Sequence, residues 1–236
     1  MVRFATWNCR SDGSRKILRL ESAGVDLAVV CEAPIANPRP SPTLTDSELS
    51  WHSVGVLPFK ALAIVGLTAS VVPVEPDPKA GRWCLLAHTN GGPSVLAIWS
   101  CPSEKRAAAY GEQVIRSLDA HADLLATGDV LVAGDFNVGQ AMSDGIYADW
   151  VAPVRDCWED LGLVSVYHSF FHEPIGQATH ATYYHQSHQN QGFHIDYVLI
   201  HRSRLPSVKA VAVGTFQEWV ASGLSDHVPV VVDLDW

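Results

Sequence analysis

The sequence predicts an α/β fold, and three observations carry that expectation. Residues 2 to 8, VRFATWN, read as a strand, residues 14 to about 23 as a short helix and residues 26 to 32, DLAVVCE, as a second strand. Between Trp51 and Trp99 lie several short β-like runs separated by turn residues. A further apolar run, Val130 to Ala133, ends in Gly134, with Asp135 and Asn137 following where a strand tip meets a loop.

In the first unit Asn8 stands at the carboxyl end of its strand, and Glu32 ends the second strand abruptly. Ser14 is placed to cap the helix between them, and Ile17, Leu18 and Leu20 give it a short apolar face. The unbroken apolar character of DLAVVCE is the pattern of a strand covered on both sides. Pro34 to Pro42 reads as a surface loop. Strands are expected at His52–Val56, Ala61–Val65, Ser70–Val74, Trp83–His88 and Val95–Trp99, and Asn90, Gly91 and Gly92 predict a hairpin turn. Ser103 opens the clearest helix: Tyr110, Val114, Leu118 and Leu125 recur at helical spacing, leaving Arg106 and Arg116 to solvent or substrate. Pro153 opens another, with Val154, Cys157, Trp158 and Leu161 on one face and Gly162 closing it. Strands follow at Val164–Tyr167, Ala181–Tyr184, Ile195–His201 and Val208–Val213. The last, residues 228 to 234, comes directly after Ser225, Asp226 and His227.

With 236 residues, 47% of them apolar, the chain holds material for a substantial core, and no linker rich in Ser, Gly or charge divides it. One domain over residues 1–236 is expected. The N-terminus lacks the apolar core of a secretory signal, and Ala61 to Val74, interrupted by Gly66 and Pro73, falls short of the roughly 20 residues of a membrane helix. A soluble protein is the expectation. The five cysteines form no CxxC pair and sit mostly in apolar runs, which predicts free thiols and a reducing cytoplasm.

GDFN on its own also reads as an ordinary turn. Its carboxylate and amide oxygens are hard ligands suited to magnesium or manganese, and period-two alternation puts Asp135 and Asn137 on one side with Phe136 opposite. The chain has no Gly-rich phosphate cradle followed by lysine, no HExxH and no GxSxG, so triphosphate hydrolysis and serine esterase chemistry lose their usual support. His180, His185 and His188 share a polar loop without a regular ligand pattern, and read as surface or substrate-facing rather than as a zinc site.

Taken together, Asn8 and Glu32, then GDFN, then IDY with Asp196, then SDH with Asp226 and His227, resemble the endonuclease/exonuclease/phosphatase superfamily. That superfamily includes DNase I, exonuclease III and abasic-site endonucleases. The resemblance spans nearly the whole chain, with the elements in the expected order. It implies an α/β sandwich: two packed mixed β-sheets flanked by helices, with the active site where loops of both sheets meet.

Phosphodiester hydrolysis needs a Lewis acid, an activated water and stabilisation of growing negative charge. By the resemblance Glu32 is the direct ligand of Mg²⁺ or Mn²⁺, with Asn8 and Asp226 near it and Asp135, Asn137 and His227 completing the metal environment. Asp135 orients or deprotonates the attacking water, Asn137 holds phosphate or water, and His227 contacts the phosphoryl oxygen. Asp196 fixes the imidazole and favours its charged form. Two positions depart from the pattern. Histidine, as His194, stands where the family often has arginine, and contact with phosphate or a structural role are both open. Trp99 stands where a catalytic Tyr or His is frequent; it stacks on a base or packs in the core.

The expected activity is that of a divalent-metal-dependent DNA nuclease, an exonuclease or a repair-type endonuclease. Tyr183, Tyr184, His185, Gln186, His188 and Gln189 form a candidate loop that stacks bases and bonds backbone oxygens, with Trp51, Arg82, Lys105, Arg106 and Arg155 as further contacts. The alternative is a phosphatase or phosphodiesterase acting on a small molecule or lipid headgroup, which the net charge of −9 suits better. Clustered catalytic acids account for part of that charge, and bound cations would offset some of it.

Overall fold

The strands read at residues 2 to 8 and 26 to 32 lie side by side and parallel, joined by the helix between them. In the computed structural model these are β1 (Val2–Asn8), α1 (Ser14–Ser22) and β2 (Leu27–Ala33). Residues 1–11, 14–33, 50–57, 60–101, 107–139 and 150–236 are described, and of residues 14, 15, 50, 51, 56, 57, 107 and 108 the backbone alone. The Pro34 to Pro42 loop and the helix start at Ser103 lie outside the described residues.

The hairpin-rich segment is shared between two sheets. Its first hairpin, β3 (Ser50–Leu57) with β4 (Lys60–Gly66), extends the first sheet by pairing β4 antiparallel to β2. The chain then crosses over, and β5 (Val71–Val74), β6 (Cys84–Thr89) and β7 (Ser94–Ile98) start the second sheet; Gly91 turns at φ 73° between the last two. Helices α2 (Ala107–Ala120) and α3 (Ala122–Leu125) lead to β8 (Val130–Asp135), parallel to β7. Each sheet is thus built around one strand–helix–strand unit with polar residues at its carboxyl tips. The remaining elements are α4 (Val151–Asp160), β9 (Leu163–Ser165), α5 (Val166–Phe171), a small hairpin β10 (Tyr183–Tyr184) and β11 (Gly192–Phe193), then β12 (Asp196–His201), β13 (Val208–Val213) and β14 (Val230–Leu234). The sheet orders are β13-β14-β1-β2-β4-β3 and β5-β6-β7-β8-β12-β9.

The two six-stranded sheets pack face to face. Phe4, Val29, Leu62, Leu85, Leu131, Ile200 and Val232 fill the layer between them, each buried side chain contributing roughly 1.5–3 kcal/mol. The outer face of the second sheet is covered through Val114, Leu118, Val154 and Trp158 of α2 and α4. The outer face of the first is covered by Ile17 and Leu20 of α1 and by Trp219 and Val220 of a π-helical turn, Phe216–Val220. Coverage on both sides explains why β2 and β8 read as unbroken apolar runs.

Three local expectations change. The α2 helix stops before His121, whose Nδ1 lies 2.8 Å from the Ser117 carbonyl, so Leu125 reaches the core from α3. Pro153 sits within the first turn of α4 rather than at its opening, still where no helical N–H bond is lost. Val166 and Tyr167, expected to extend a strand, are helical: β9 pairs only with β12 and its ladder ends at Ser165. Both side chains are buried in the inter-sheet core from α5. All five cysteines are free; burial pushes the Cys9, Cys84 and Cys157 thiols up to about 12 and keeps them protonated. Among the described residues no helix is long and apolar enough to cross a membrane.

Candidate active site

The polar strand tips converge at one end of the sandwich, outside the carboxyl ends of the parallel strands, where α/β sheets commonly bind ligands. Asp135 ends β8, and its inward direction is set by Gly134. At φ 145° that residue brings the backbone so near β7 that a Cβ would stand 1.9 Å from the Ile98 carbonyl oxygen. Asp135 is buried and held by three donors. Asn8 Nδ2 and Asn137 Nδ2 each donate to Oδ2 at 3.0 Å, and the Asn137 backbone N–H donates to Oδ1 at 3.0 Å.

Asn137 reaches this position by a turn rather than by strand alternation. The strand ends at Asp135, and Asn137 adopts the left-handed region, φ 50°, folding its amide back. The same Nδ2 also donates to the Ser100 carbonyl at 3.0 Å, so it is engaged within the protein. Asn8 is oriented similarly, its Oδ1 accepting from the Arg10 N–H at 3.0 Å.

Asp196 begins β12 opposite Asp135 and is fully buried. Its Oδ2 accepts from His227 Nδ1 at 2.9 Å, while Oδ1 is buried without a hydrogen-bond partner. Thr182, which no local sequence pattern marks, and Ser225, the first residue of the SDH element, hold this pair. Thr182 Oγ1 accepts from the Ile195 and Asp196 N–H groups, and its carbonyl from the Val228 N–H. Ser225 Oγ donates to the Asn8 carbonyl at 2.7 Å and accepts from the His227 N–H, tying the β1 tip to the SDH loop. The Trp7 indole donates to the His227 carbonyl.

The electrostatics pull the groups apart. Burial, with the Asp196 charge adding to it, raises the Asp135 carboxyl to about 7 against the pull of His227 and the Asn8 bond. Burial works to lower the His227 imidazole, but the carboxylates of Asp196, Asp135 and Asp226 more than offset it and hold it at about 9. A carboxylate able to take a proton near neutral pH thus stands beside a histidine that keeps one.

Asp135, Asp196 and His227 present ligand atoms within 4.8 Å of one another, the one such acid, cysteine and histidine group among the described residues. Glu32 and Asp226 are outside it. Glu32 sits on a bulge: Cys31 faces the inter-sheet core, Ala33 the opposite face, and the extra residue between them takes φ 54°. It faces Lys60, and Asp226 faces Arg10. The donor set is made of carboxylate and amide oxygens with one orphaned buried oxygen on Asp196, and this chemistry fits a hard divalent cation.

The expected substrate contacts fare differently. Trp99 is 2% exposed and packs on Trp83 at 5.1 Å in the inter-sheet core, where it has no face for a base; position 99 ends an unbroken apolar run, Val95 to Trp99, all of it buried. Tyr184 turns to Phe216, ring centroids 5.0 Å apart, and it is Tyr183 whose ring lies 4.7 Å from that of His227. Strand alternation at an isolated bridge between Tyr183 and His227 decides which tyrosine faces the site. His188 is exposed in the hairpin loop. Arg82 lies over the Trp83 ring and Arg155 pairs with Asp156. Lys105 and Arg106, and the Trp51 side chain, lie outside the described residues.

His194 makes its contacts inside the protein. Its Nδ1 lies 2.8 Å from the His180 carbonyl, its Nε2 is buried, and its ring packs at 4.4 Å on Tyr167. Burial, then the neighbouring His168, lowers it to about 3, so it is neutral and offers phosphate no charge. His168, 5.1 Å away between ring centroids, is lowered by burial to about 4. Unfolding frees both to take protons, so their contribution to stability is complete above about pH 6.5 and is lost as the pH falls from there towards 4. His168→Asn is expected to reduce the pH dependence of stability over that window by up to about 1.4 kcal/mol per pH unit, measured by denaturant unfolding at several pH values. The difference between wild type and variant is the readout, because Asp135 titrates nearby with the opposite sign. Equal slopes would remove His168 from the acid response.

Neither a family model nor a curated relative matches the sequence. Solved structures match the fold over the full chain. A 3′–5′ exonuclease from Neisseria meningitidis superposes with TM-score 0.75 at 18% identity, covering 100% of both chains. A 3′ phosphatase from Neisseria bound to a product DNA hairpin gives 0.73 at 17%, and an AP endonuclease from Archaeoglobus fulgidus 0.74 at 15%, each covering 100% of both chains. The two mixed six-stranded sheets flanked by helices are the DNase I-like architecture of these proteins.

Proposed function

We propose that this chain, with the fold of those nucleases, is itself a divalent-metal-dependent DNA nuclease of the endonuclease/exonuclease/phosphatase superfamily, acting over its whole length as one catalytic domain. One observation carries the reading: a buried carboxylate pinned by two asparagines, Asp135, stands beside a bonded Asp196–His227 pair at the meeting of both sheets. Five free thiols fit work in a reducing compartment such as the cytoplasm.

Glu32 and Asp226, with Asn8 beside them, would hold Mg²⁺ or Mn²⁺, which supplies Lewis-acid polarisation of the phosphoryl oxygen. Asp135 takes the proton of the attacking water, and its raised pKa matches that task near neutral pH. Asn8 and Asn137 hold both of its oxygens, so the proton-accepting lone pair has one direction. His227, charged and fixed through Nδ1 by Asp196, presents its other ring nitrogen to the oxygen on which negative charge grows. Tyr183, ringed against His227, borders the substrate path.

Chelator is expected to abolish hydrolysis and Mg²⁺ or Mn²⁺ to restore it. The test is a panel of single-stranded, duplex, nicked and abasic DNA, DNA bearing a 3′ phosphate, RNA and small phosphate esters. Turnover undiminished in chelator, or confined to small esters, overturns the reading.

A further inference from the structure

We infer that Arg10 and Lys60 are exchange cations: without the divalent ion they neutralise its carboxylate ligands, and when it is bound they grip the phosphates of the DNA strand beside it. The inference rests on the nuclease reading above. Its basis is a row of alternating charge along one edge of the first sheet. The strand order β14-β1-β2-β4 places there, in turn, Asp226 before β14, Arg10 after β1, Glu32 on β2 and Lys60 at the start of β4. The strand directions put all four at the same end, because β14 and β4 run antiparallel to the two parallel strands between them. Neighbouring strands lie about 4.8 Å apart, which spaces these charges for pairwise contact.

The pairs are loose. Arg10 Nε lies 3.7 Å from Asp226 Oδ2 and Lys60 Nζ 3.8 Å from Glu32 Oε2. The two basic side chains are 58% and 49% exposed, against 18% and 21% for their acidic partners. Exposed pairs of this kind contribute only about 0–1 kcal/mol and are readily exchanged. The backbone under Arg10 is anchored: φ is 50°, its N–H bonds to Asn8 Oδ1, and Lys16 Nζ donates to the Cys9 and Ser11 carbonyls at 2.8 and 2.6 Å. A fixed root with an exposed, loosely paired guanidinium is a mounting for a group that must move a few ångströms.

Glu32 and Asp226 would give their lone pairs to a bound divalent ion, and the guanidinium and ammonium groups alongside would be repelled. Both are long and flexible enough to swing off, and the nearest anions are then phosphates of the strand being cut; Arg binds these bidentately and Lys as a point charge. The exchange lets a chain of net charge −9 present basic contacts to DNA only when it is loaded for hydrolysis.

The test uses Arg10→Gln and Lys60→Gln in the full chain. Calorimetric titration with Mn²⁺ alone is expected to show affinity rising about three- to tenfold in each variant, because the competing cation is gone. With saturating Mn²⁺, KM for duplex DNA is expected to rise about tenfold, by more than kcat falls, and its logarithmic salt dependence to weaken by about one per cation removed. Arg10→Lys and Lys60→Arg are expected to stay near wild type in both measurements. Mn²⁺ affinity unchanged or reduced in both Gln variants overturns the exchange. Absence of Mn²⁺ uptake by the wild-type chain overturns instead the metal reading on which it rests.

Discussion

Asp135→Ala is expected to reduce hydrolysis about a thousandfold or more while leaving the melting temperature within a few degrees of wild type. Removal of the carboxylate takes away the only group at the site raised into the neutral range by burial and by the Asp196 charge, and no neighbour replaces it: Asn8 and Asn137 are amides, and His227 keeps its proton up to about 9. Two opposing effects keep stability near its starting value. The variant leaves Asn8 Nδ2 and the Asn137 backbone N–H without their acceptor, while Asn137 Nδ2 keeps the Ser100 carbonyl, at a cost of about 1–3 kcal/mol for each unsatisfied group. It also relieves the fold of a buried acid whose raised pKa records the strain of holding charge out of water. Initial rates on DNA at saturating Mn²⁺, alongside a thermal melt, separate the two readouts. Robust turnover by a folded variant would remove Asp135 from the chemistry.

The second large effect is on the histidine. In Asp196→Asn the His227 imidazole, followed by NMR in the cation-free protein, is expected to fall from about 9 to the ordinary 6.5 or below, because burial already works to lower it and the strongest opposing charge is gone. Activity near pH 8 is expected to drop about a hundredfold or more. The signs follow from the two perturbed groups. Asp135 must be ionised, so activity rises with pH through about 7, a limb that bound cation shifts lower; His227 must be charged, so activity falls as pH passes about 9. In the variant that alkaline limb moves to lower pH while the acid limb stays. An imidazole titration unchanged by Asp196→Asn would refute the pairing.

Features carried by neighbours in the chain were legible in the residues. Residues 2 to 8, residues 26 to 32 and the apolar run Val130 to Ala133 read as strands with polar residues at their tips, Gly91 and Gly162 marked turns, and the ordered set from Asn8 to His227 pointed to one site. In the fold Asn8, Asp135 and Asn137 are hydrogen-bonded to one another, and Asp196 and His227 form a bonded pair beside them. Tertiary structure decided the rest. Period two says that a strand has two faces, but where sheets and helices cover both, it does not say which face is which. Trp99 therefore went to the core, and Tyr183 rather than Tyr184 to His227. The left-handed turns that aim Glu32 and Asn137 leave no mark in hydropathy, since they are imposed by a bulge and by bonds to distant groups. Which side chains meet across β14, β1, β2 and β4, and so the facing of Arg10 with Asp226 and Lys60 with Glu32, depends on pairings between distant positions, 216 apart for Arg10 and Asp226. Local propensity acts over a few residues; contacts closed over such distances are selected only by the packing of the whole chain.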